Sequence, residues 1–232
     1  YFAAVAESPH AAKPCSYVKG LRDAHRTLRR AEHETTSVSV SNSELDAVIK
    51  RATSDLRLLT TSTEDGPYPY AGTPWYSTTF GRDALITALQ VLWLDPGMAR
   101  GVLRRLARFQ AQSHDADADA QPGKILHEMR EGEMAALREI PFGRYYGSVD
   151  STPLFVLVAG AYLQATDDRD FLVEIWPAVQ RALEWIDGPG DPDGDGFIEY
   201  ARETDSGLSN QGWKDSQDAV FHRDGSLAKG PI

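Results

Sequence analysis

Two stretches constrain this chain most. Leu85–Leu94 and Pro153–Leu163 are apolar on nearly every side, and amphipathic segments flank each of them. A helix with no polar face must be covered all round, whereas one with a single apolar stripe covers one side. The alternation predicts nested inner and outer helices. The first amphipathic helix starts at a Ser41–Glu44 capping box and carries Leu45, Val48, Ile49, Ala52, Leu56 and Leu59 at helical spacing. Arg82–Leu94 is the second helix, and Asp95-Pro96 stops it and opens a third, with a stripe of Val102, Leu103, Leu106 and Phe109. Ser151-Thr152-Pro153 caps the fourth. The fifth presents Phe171, Leu172, Ile175, Trp176, Val179, Ala182, Leu183 and Ile186, its main part starting at Pro177.

No strand–helix alternation suggests a parallel sheet, so the residues point to five helices of an all-α toroid or solenoid. No sequence repeat supports a repeat array. Residues 1–40 lack a clear period and read as a linker or the tail of a preceding domain, leaving 41–232 as the folded domain. Thr60–Thr79 reads as a loop, and His114–Asp150 as a long irregular region with a short strand near Lys124–Arg130. Asp115, Asp117 and Asp119 are its candidates for disorder.

Composition narrows the function. The chain has 232 residues, 41 % of them hydrophobic and 25 % charged, as expected of a folded globular protein. The net charge of −10 and the lack of a long basic run argue against nucleic acid as partner. The apolar runs fall short of the ~20 residues that span a bilayer, which argues against a membrane. Cys15 stands alone, so neither an internal disulfide nor a cysteine-based zinc site is expected, and a reducing, cytoplasmic compartment fits. Tyr1 reads as a cut edge rather than the start of a leader.

Three loops collect chemistry. In the first, Trp75, Tyr76 and Phe80 precede Arg82-Asp83. Flat apolar faces beside such a charged pair suit a sugar, whose C–H faces stack and whose hydroxyls take and give hydrogen bonds. The plain alternative is that Asp83 caps its helix and pairs with Arg82. The second loop holds His127, Glu128 and Arg130, then Pro141-Phe142 and Tyr145 to Asp150. Glu128 and Asp150 are candidate acids or ligands, against an ion pair with Arg130 for Glu128 and helix capping for Asp150. The third, Asn210 to Asp218, sets Trp213 and Lys214 beside Asp215. Partial burial against an aromatic can raise a carboxyl into the range of a general acid; a surface Lys–Asp pair is the alternative. Asp191, Asp193 and Asp195 are spaced like the start of a calcium loop, but Arg202 occupies the twelfth position, where Glu is expected, so a solvated turn is preferred. Glu199 would be the residue to complete an atypical site.

Taken together, PWYSTTFGRDALITALQ, GKILHEMREGEM, EIPFGRYYGSVDSTPLF, DGDGFIEY and NQGWKDSQDA resemble, in order and spacing from about 66 to 220, the C-terminal catalytic domain of the glycogen debranching (amylo-α-1,6-glucosidase) family. That family lies within the six-hairpin glycosidases. The resemblance implies a mainly α fold, a partial (α/α)6 toroid truncated at its C-terminus, with 41–232 as its first part. It implies an inverting hydrolase that removes α-1,6-linked glucose from glycogen or a branched α-glucan oligosaccharide, with no metal and no cofactor. Asp215 matches the general acid. Arg82 and Asp83 match the pair that holds the non-reducing-end hydroxyls, and Trp75 their pocket wall. Glu128, Tyr146 and Asp150 fall in motifs that line the cleft, and Trp213 and Lys214 flank the acid. An inverting enzyme needs a second carboxylate ~6.5–9.5 Å from the first; the family's base lies between the last helices, so it is expected beyond Ile232. Another inverting six-hairpin α-glycosidase, or a non-catalytic carbohydrate-binding half-toroid, are the alternative functions. An open ring also predicts exposed apolar faces on the second and fourth helices, and hence self-association.

Overall fold

The computed structural model describes residues 16–34, 36–137, 143–228 and 230–232; Cys15, Pro141 and Phe142 lie outside the described residues. The described chain is mainly helical, with a few short strands. None of its helices is long and apolar enough to cross a membrane.

The stretch expected to be an aperiodic linker holds a helix, α1 (Tyr17–Glu34). Tyr17, Val18 and Leu21 are exposed on it. Its Lys and Arg residues favour helix through backbone propensity, a signal that a search for buried stripes misses. α2 (Ser43–Leu59) follows, capped by Asn42 rather than by a Ser41–Glu44 box: the Asn42 side chain accepts from the amides of Glu44 and Leu45, each at 3.0 Å. Leu45 and Val48 are exposed, while Leu56 reaches the core.

The expected loop after α2 begins instead as a hairpin, β1 (Thr60–Thr63) and β2 (Gly66–Pro69), paired from Thr60–Pro69 to Thr63–Gly66. The β-branched threonines and a glycine at φ 125° carry that signal. β3 (Thr79–Phe80) runs straight into α3 (Gly81–Gln90). Asp95 caps α4 (Pro96–Arg108), whose stripe of Met98, Ala99, Val102, Leu103 and Leu106 is buried. β4 (Glu128–Met129) and β5 (Arg144–Tyr145) join β3 in an antiparallel sheet of order β3-β4-β5, so the expected strand exists but is two residues long. The region expected to be disordered is a 3₁₀ turn at Ala116–Ala118, closed by the Asp115–Ala120 bridge, and Asp119 is 2 % exposed.

After the single turn α5 (Glu133–Ala136) come α6 (Ser151–Thr166) and α7 (Arg169–Ile186). α7 is continuous through Pro177, contrary to the expected restart there. Pro177 and Val173, whose carbonyl loses its amide partner, both face outward, where water replaces the lost bond. α3, α4, α6 and α7 pack on one another around Leu85, Val102, Leu103, Leu106, Phe155 and Val158. The two apolar helices are not enclosed on every side: Leu157 of α6 is 52 % exposed, and Trp93 just after α3 is 67 % exposed.

This packing brings the starts of α3 and α6 together across the 124–128 segment. The Gly81 amide donates to the His127 carbonyl at 2.8 Å, and the Ile125 amide to Thr152 Oγ1 at 3.0 Å. Gly81 has no room for a side chain: a Cβ there would sit 1.9 Å from the Leu126 carbonyl oxygen. Gly81→Ala is expected to cost about 3 kcal/mol or more through that backbone clash. Gly160, in mid-α6 with nothing near its Cβ, is the contrast: Gly160→Ala should add about 0.5–1 kcal/mol. Urea melts of the two variants decide it, and equal stabilities would contradict the close approach at Gly81.

Candidate functional site

Arg82 is the second residue of α3 and is 7 % exposed. Its Nη2 donates to Asp215 Oδ2 at 2.7 Å and its Nη1 to the Gly212 carbonyl at 2.5 Å. Asp150 Oδ2 lies 3.6 Å from the same Nη1. The guanidinium also sits over the Trp213 ring, 5.5 Å from its centroid. One buried cation thus gathers two carboxylates, a carbonyl and an indole face from two other motifs. Arg82 bonds to Gly212 and Asp215 and not to its neighbour Asp83, the plain alternative, because adjacent residues on a helix point in different directions.

Asp150 precedes α6 but makes no side-chain capping bond to it. Its Oδ1 instead accepts from Ser148 Oγ at 2.5 Å, and Ser148 Oγ accepts from the Ser151 amide. That frees the other carboxylate oxygen to face Arg82. Asp83 lies in the first turn of α3. Burial raises its pKa above the usual carboxylate range against the pull of Arg82, and the charges of Asp150 and Asp215 add to the rise. Asp83 and Trp213 line one cleft of about 310 Å³ with Tyr70, Ile86 and Gln90.

Glu128 is 5 % exposed and forms the expected ion pair, accepting from Arg130 Nη2 at 3.0 Å and Nε at 3.2 Å. Burial raises its pKa, Arg130 opposes the rise, and Asp215 and Asp83 add to it. Arg130 also donates to the Trp75 carbonyl at 2.8 Å. The exposed Trp75 ring lines a second cleft of about 280 Å³ with Thr79, Met129, Arg130 and Tyr70. Tyr70 borders both clefts and was missed by sequence reasoning; its signal was the aromatic pair in Pro67-Tyr68-Pro69-Tyr70.

Besides Trp75 in its separate cleft, two candidates stand apart from the Arg82 cluster. Tyr146 packs in the core, its hydroxyl donating to the Phe109 carbonyl at 2.7 Å. Lys214 turns to Asp218, donating to its carbonyl at 3.1 Å, so the lysine pairs with Asp218 rather than with Asp215.

His127 is the other residue that sequence reasoning passed over. It is 3 % exposed, wedged between Phe80 and Tyr145 at ring separations of 6.1 and 5.7 Å, and its Nδ1 is buried without a hydrogen-bond partner. Burial lowers its pKa to about 4, and the cations of Arg82 and Lys124 help while Asp215 opposes. The folded chain thus holds the imidazole neutral. Below the ordinary histidine pKa, near 6.5, the unfolded chain takes up a proton that the folded chain refuses, so stability falls as pH drops toward 4. The chain should lose up to about 3 kcal/mol by this route, and His127→Gln should flatten the fall in melting temperature between pH 7 and 5. Parallel profiles for the two proteins would contradict it.

Among the described residues, Asp191, Asp193 and Asp195 could hold a metal ion, their ligand oxygens lying within 4.8 Å of one another. Their carboxylates already accept from backbone amides of the same turn: Asp191 from Gly194, Asp195 and Gly196, and Asp193 from Asp195. Those bonds leave further carboxylate lone pairs open, and Glu199 adjoins them: its Oε2 is buried without a hydrogen-bond partner, and burial and the three aspartates raise its pKa. No protein-family model matches the chain, and no curated protein sequence matches it.

Proposed function

We propose that this chain forms part of the catalytic domain of an inverting glycosidase of the six-hairpin, (α/α)6 type, which removes α-1,6-linked glucose from glycogen or a branched α-glucan. The resemblance of its motifs suggests the reaction. The observation that carries it furthest is the meeting of Arg82, Asp150, Trp213 and Asp215, with Asp83 in the adjoining cleft. A guanidinium between carboxylates beside an indole face offers what a hexose asks for: donors and acceptors for its hydroxyls and a flat surface for its C–H face.

In this reading Arg82 and Asp83 hold the hydroxyls of the terminal glucose. Asp150 and Glu128 accept further hydroxyls, and the Trp75 and Trp213 faces flank the sugar. Lys214 lies at the rim, and Tyr146 supports the wall from the core. Asp215 is the general acid. Its proton passes to the glycosidic oxygen as the bond from C1 breaks, and water adds to C1 from the opposite face while a second carboxylate, which the reaction requires, takes its proton, inverting the centre. A cytoplasmic location belongs to the same proposal.

A substrate panel tests the reading in the polypeptide as its own gene encodes it. Glucose should be released from a short maltodextrin bearing a single α-1,6-linked glucose, and not from linear maltodextrins or α-mannosides. Preference for a mannoside would replace the substrate while keeping the reaction class. Saturable binding of all α-glucans with no product would replace the enzyme by a carbohydrate-binding module.

A further inference from the structure

The segment 203–216 carries Asp215 without any helix or strand of its own. Asp119 touches that segment at two points and, through Tyr145, at a third. Asp119 Oδ1 accepts from the Glu203 amide at 2.8 Å. Its Oδ2 accepts from Gln211 Nε2 at 3.0 Å and from the Tyr145 hydroxyl at 2.7 Å. The same hydroxyl accepts from the Leu208 amide at 2.7 Å. A carboxylate and a phenol therefore gather residues 203, 208 and 211 of one loop. The fit is close: a Cβ at Gly207 would lie 2.5 Å from Asp119 Oδ2.

The gathering reaches the Arg82 cluster within a few residues. Gln211 accepts the Val149 amide at 2.8 Å through its carbonyl, which ties the loop to the residue before Asp150. Gly212 and Asp215 then meet Arg82 directly. Asn210 Nδ2 donates to the Ser216 carbonyl at 2.6 Å and closes the loop around Asp215. Asp119 itself is 2 % exposed and held in a left-handed backbone conformation, φ 47°, which a non-glycine residue adopts at a cost. Lys124 Nζ donates to its carbonyl at 3.0 Å and supplies a nearby positive charge. Burial and the bond to Asp119 push the Tyr145 pKa upward, so the phenol remains a donor at any ordinary pH.

We propose that Asp119 is the positioning residue of this site: its buried carboxylate fixes the 203–211 segment and so sets Gly212, Trp213 and Asp215 against Arg82. Three loop contacts converge on a group that asparagine cannot replace. An amide has one acceptor oxygen where Asp119 uses two, and its NH2 would face a donor. The placement of Asp215 stands on the geometry alone, and only its consequence for turnover rests on the glycosidase reading.

The test compares Asp119→Asn and Tyr145→Phe with the unaltered polypeptide. Hydrogen exchange is read at the Glu203, Leu208 and Val149 amides and in α3, α4 and α6. Asp119→Asn should speed exchange at Glu203 and Val149 by about tenfold or more, with the three helices unchanged. Tyr145→Phe should do so at Leu208. The second readout is Trp213 emission, isolated by difference against Trp213→Phe. Arg82→Ala should shift that emission in the unaltered protein and leave it unmoved once Asp119→Asn has already parted loop from guanidinium. Unchanged loop exchange, or an Arg82 effect on Trp213 that survives Asp119→Asn in full, overturns the proposal. If Asp119→Asn loosens the helices as well, Tyr145→Phe decides alone at the Leu208 amide, because it breaks the tether that runs from Leu208 through Tyr145 to Asp119 without removing a charge. In the turnover arm, kcat for the branched glucan should fall with KM held within about threefold. If no glucan is cleaved by any form while exchange and emission behave as stated, the glycosidase reading fails and the role of Asp119 stands.

Discussion

Asp215→Asn is expected to lower kcat for a branched α-glucan by roughly two to four orders of magnitude, the usual worth of a positioned general acid. The asparagine has nearly the same shape and can still accept from Arg82 Nη2, now 2.7 Å from Asp215 Oδ2. It cannot give up a proton. Sugar binding, carried by Arg82, Asp83 and the indole faces, should therefore stay within about threefold, which separates a lost chemical step from a lost contact. Measurements of kcat and of oligosaccharide affinity on the same variant check both halves. Turnover within about threefold of the unaltered protein would remove Asp215 from the chemistry and leave it the lesser task of holding Arg82.

Arg82→Ala is expected to act differently. Among the described residues Arg82 alone bridges Asp150 and Asp215, and it also occupies the Gly212 carbonyl and the Trp213 face. Removing it leaves two carboxylates facing each other and a carbonyl without its donor. The Asp215 side chain is 43 % exposed, so water screens part of the loss, and a destabilisation of about 1–3 kcal/mol is expected rather than the larger cost of a fully buried pair. Hydroxyl contacts made by a guanidinium serve ground state and transition state alike, so kcat/KM should fall by about 10- to 100-fold with much of the loss in KM. Arg82→Lys should recover only part of this, because an ammonium cannot span Asp215 and the Gly212 carbonyl as the planar fork does. An unaltered kcat/KM in Arg82→Ala would refute the binding role.

What the sequence made legible followed from burial. α4, α6 and α7 each announce themselves by apolar residues at helical spacing, and Asp95-Pro96 marks the start of α4, although α3 already ends at Gln90 rather than running to Leu94 as expected. What it hid was held together by long-range polar contacts or by propensity alone. Among the described side chains of α1 none is buried, so no stripe marks it. Three acidic residues after His114 look like a solvated patch, yet Asp119 lies at the centre of a buried hydrogen-bond cluster whose partners are up to 92 positions away. The charged pairs show the same limit of local reading. Arg82-Asp83 and Lys214-Asp215 are neighbours in the chain, but the fold exchanges partners, joining Arg82 to Asp215 across 133 positions and Lys214 to Asp218. Glu128 and Arg130 do pair as neighbours because they are two apart around a strand, on the same face. The residues of the candidate site could be chosen from the sequence; which of them touch could not.

The most direct test of the central claim is the anomeric form of the first sugar released. A maltodextrin bearing one α-1,6-linked glucose would be mixed with the gene-encoded polypeptide and followed by proton NMR before mutarotation scrambles the product. The account predicts that β-glucose appears first, and that Asp215→Asn abolishes it. Initial α-glucose would contradict the single-displacement mechanism, and no glucose at all from a polypeptide that binds the oligosaccharide would contradict the assignment of Asp215 as an acid.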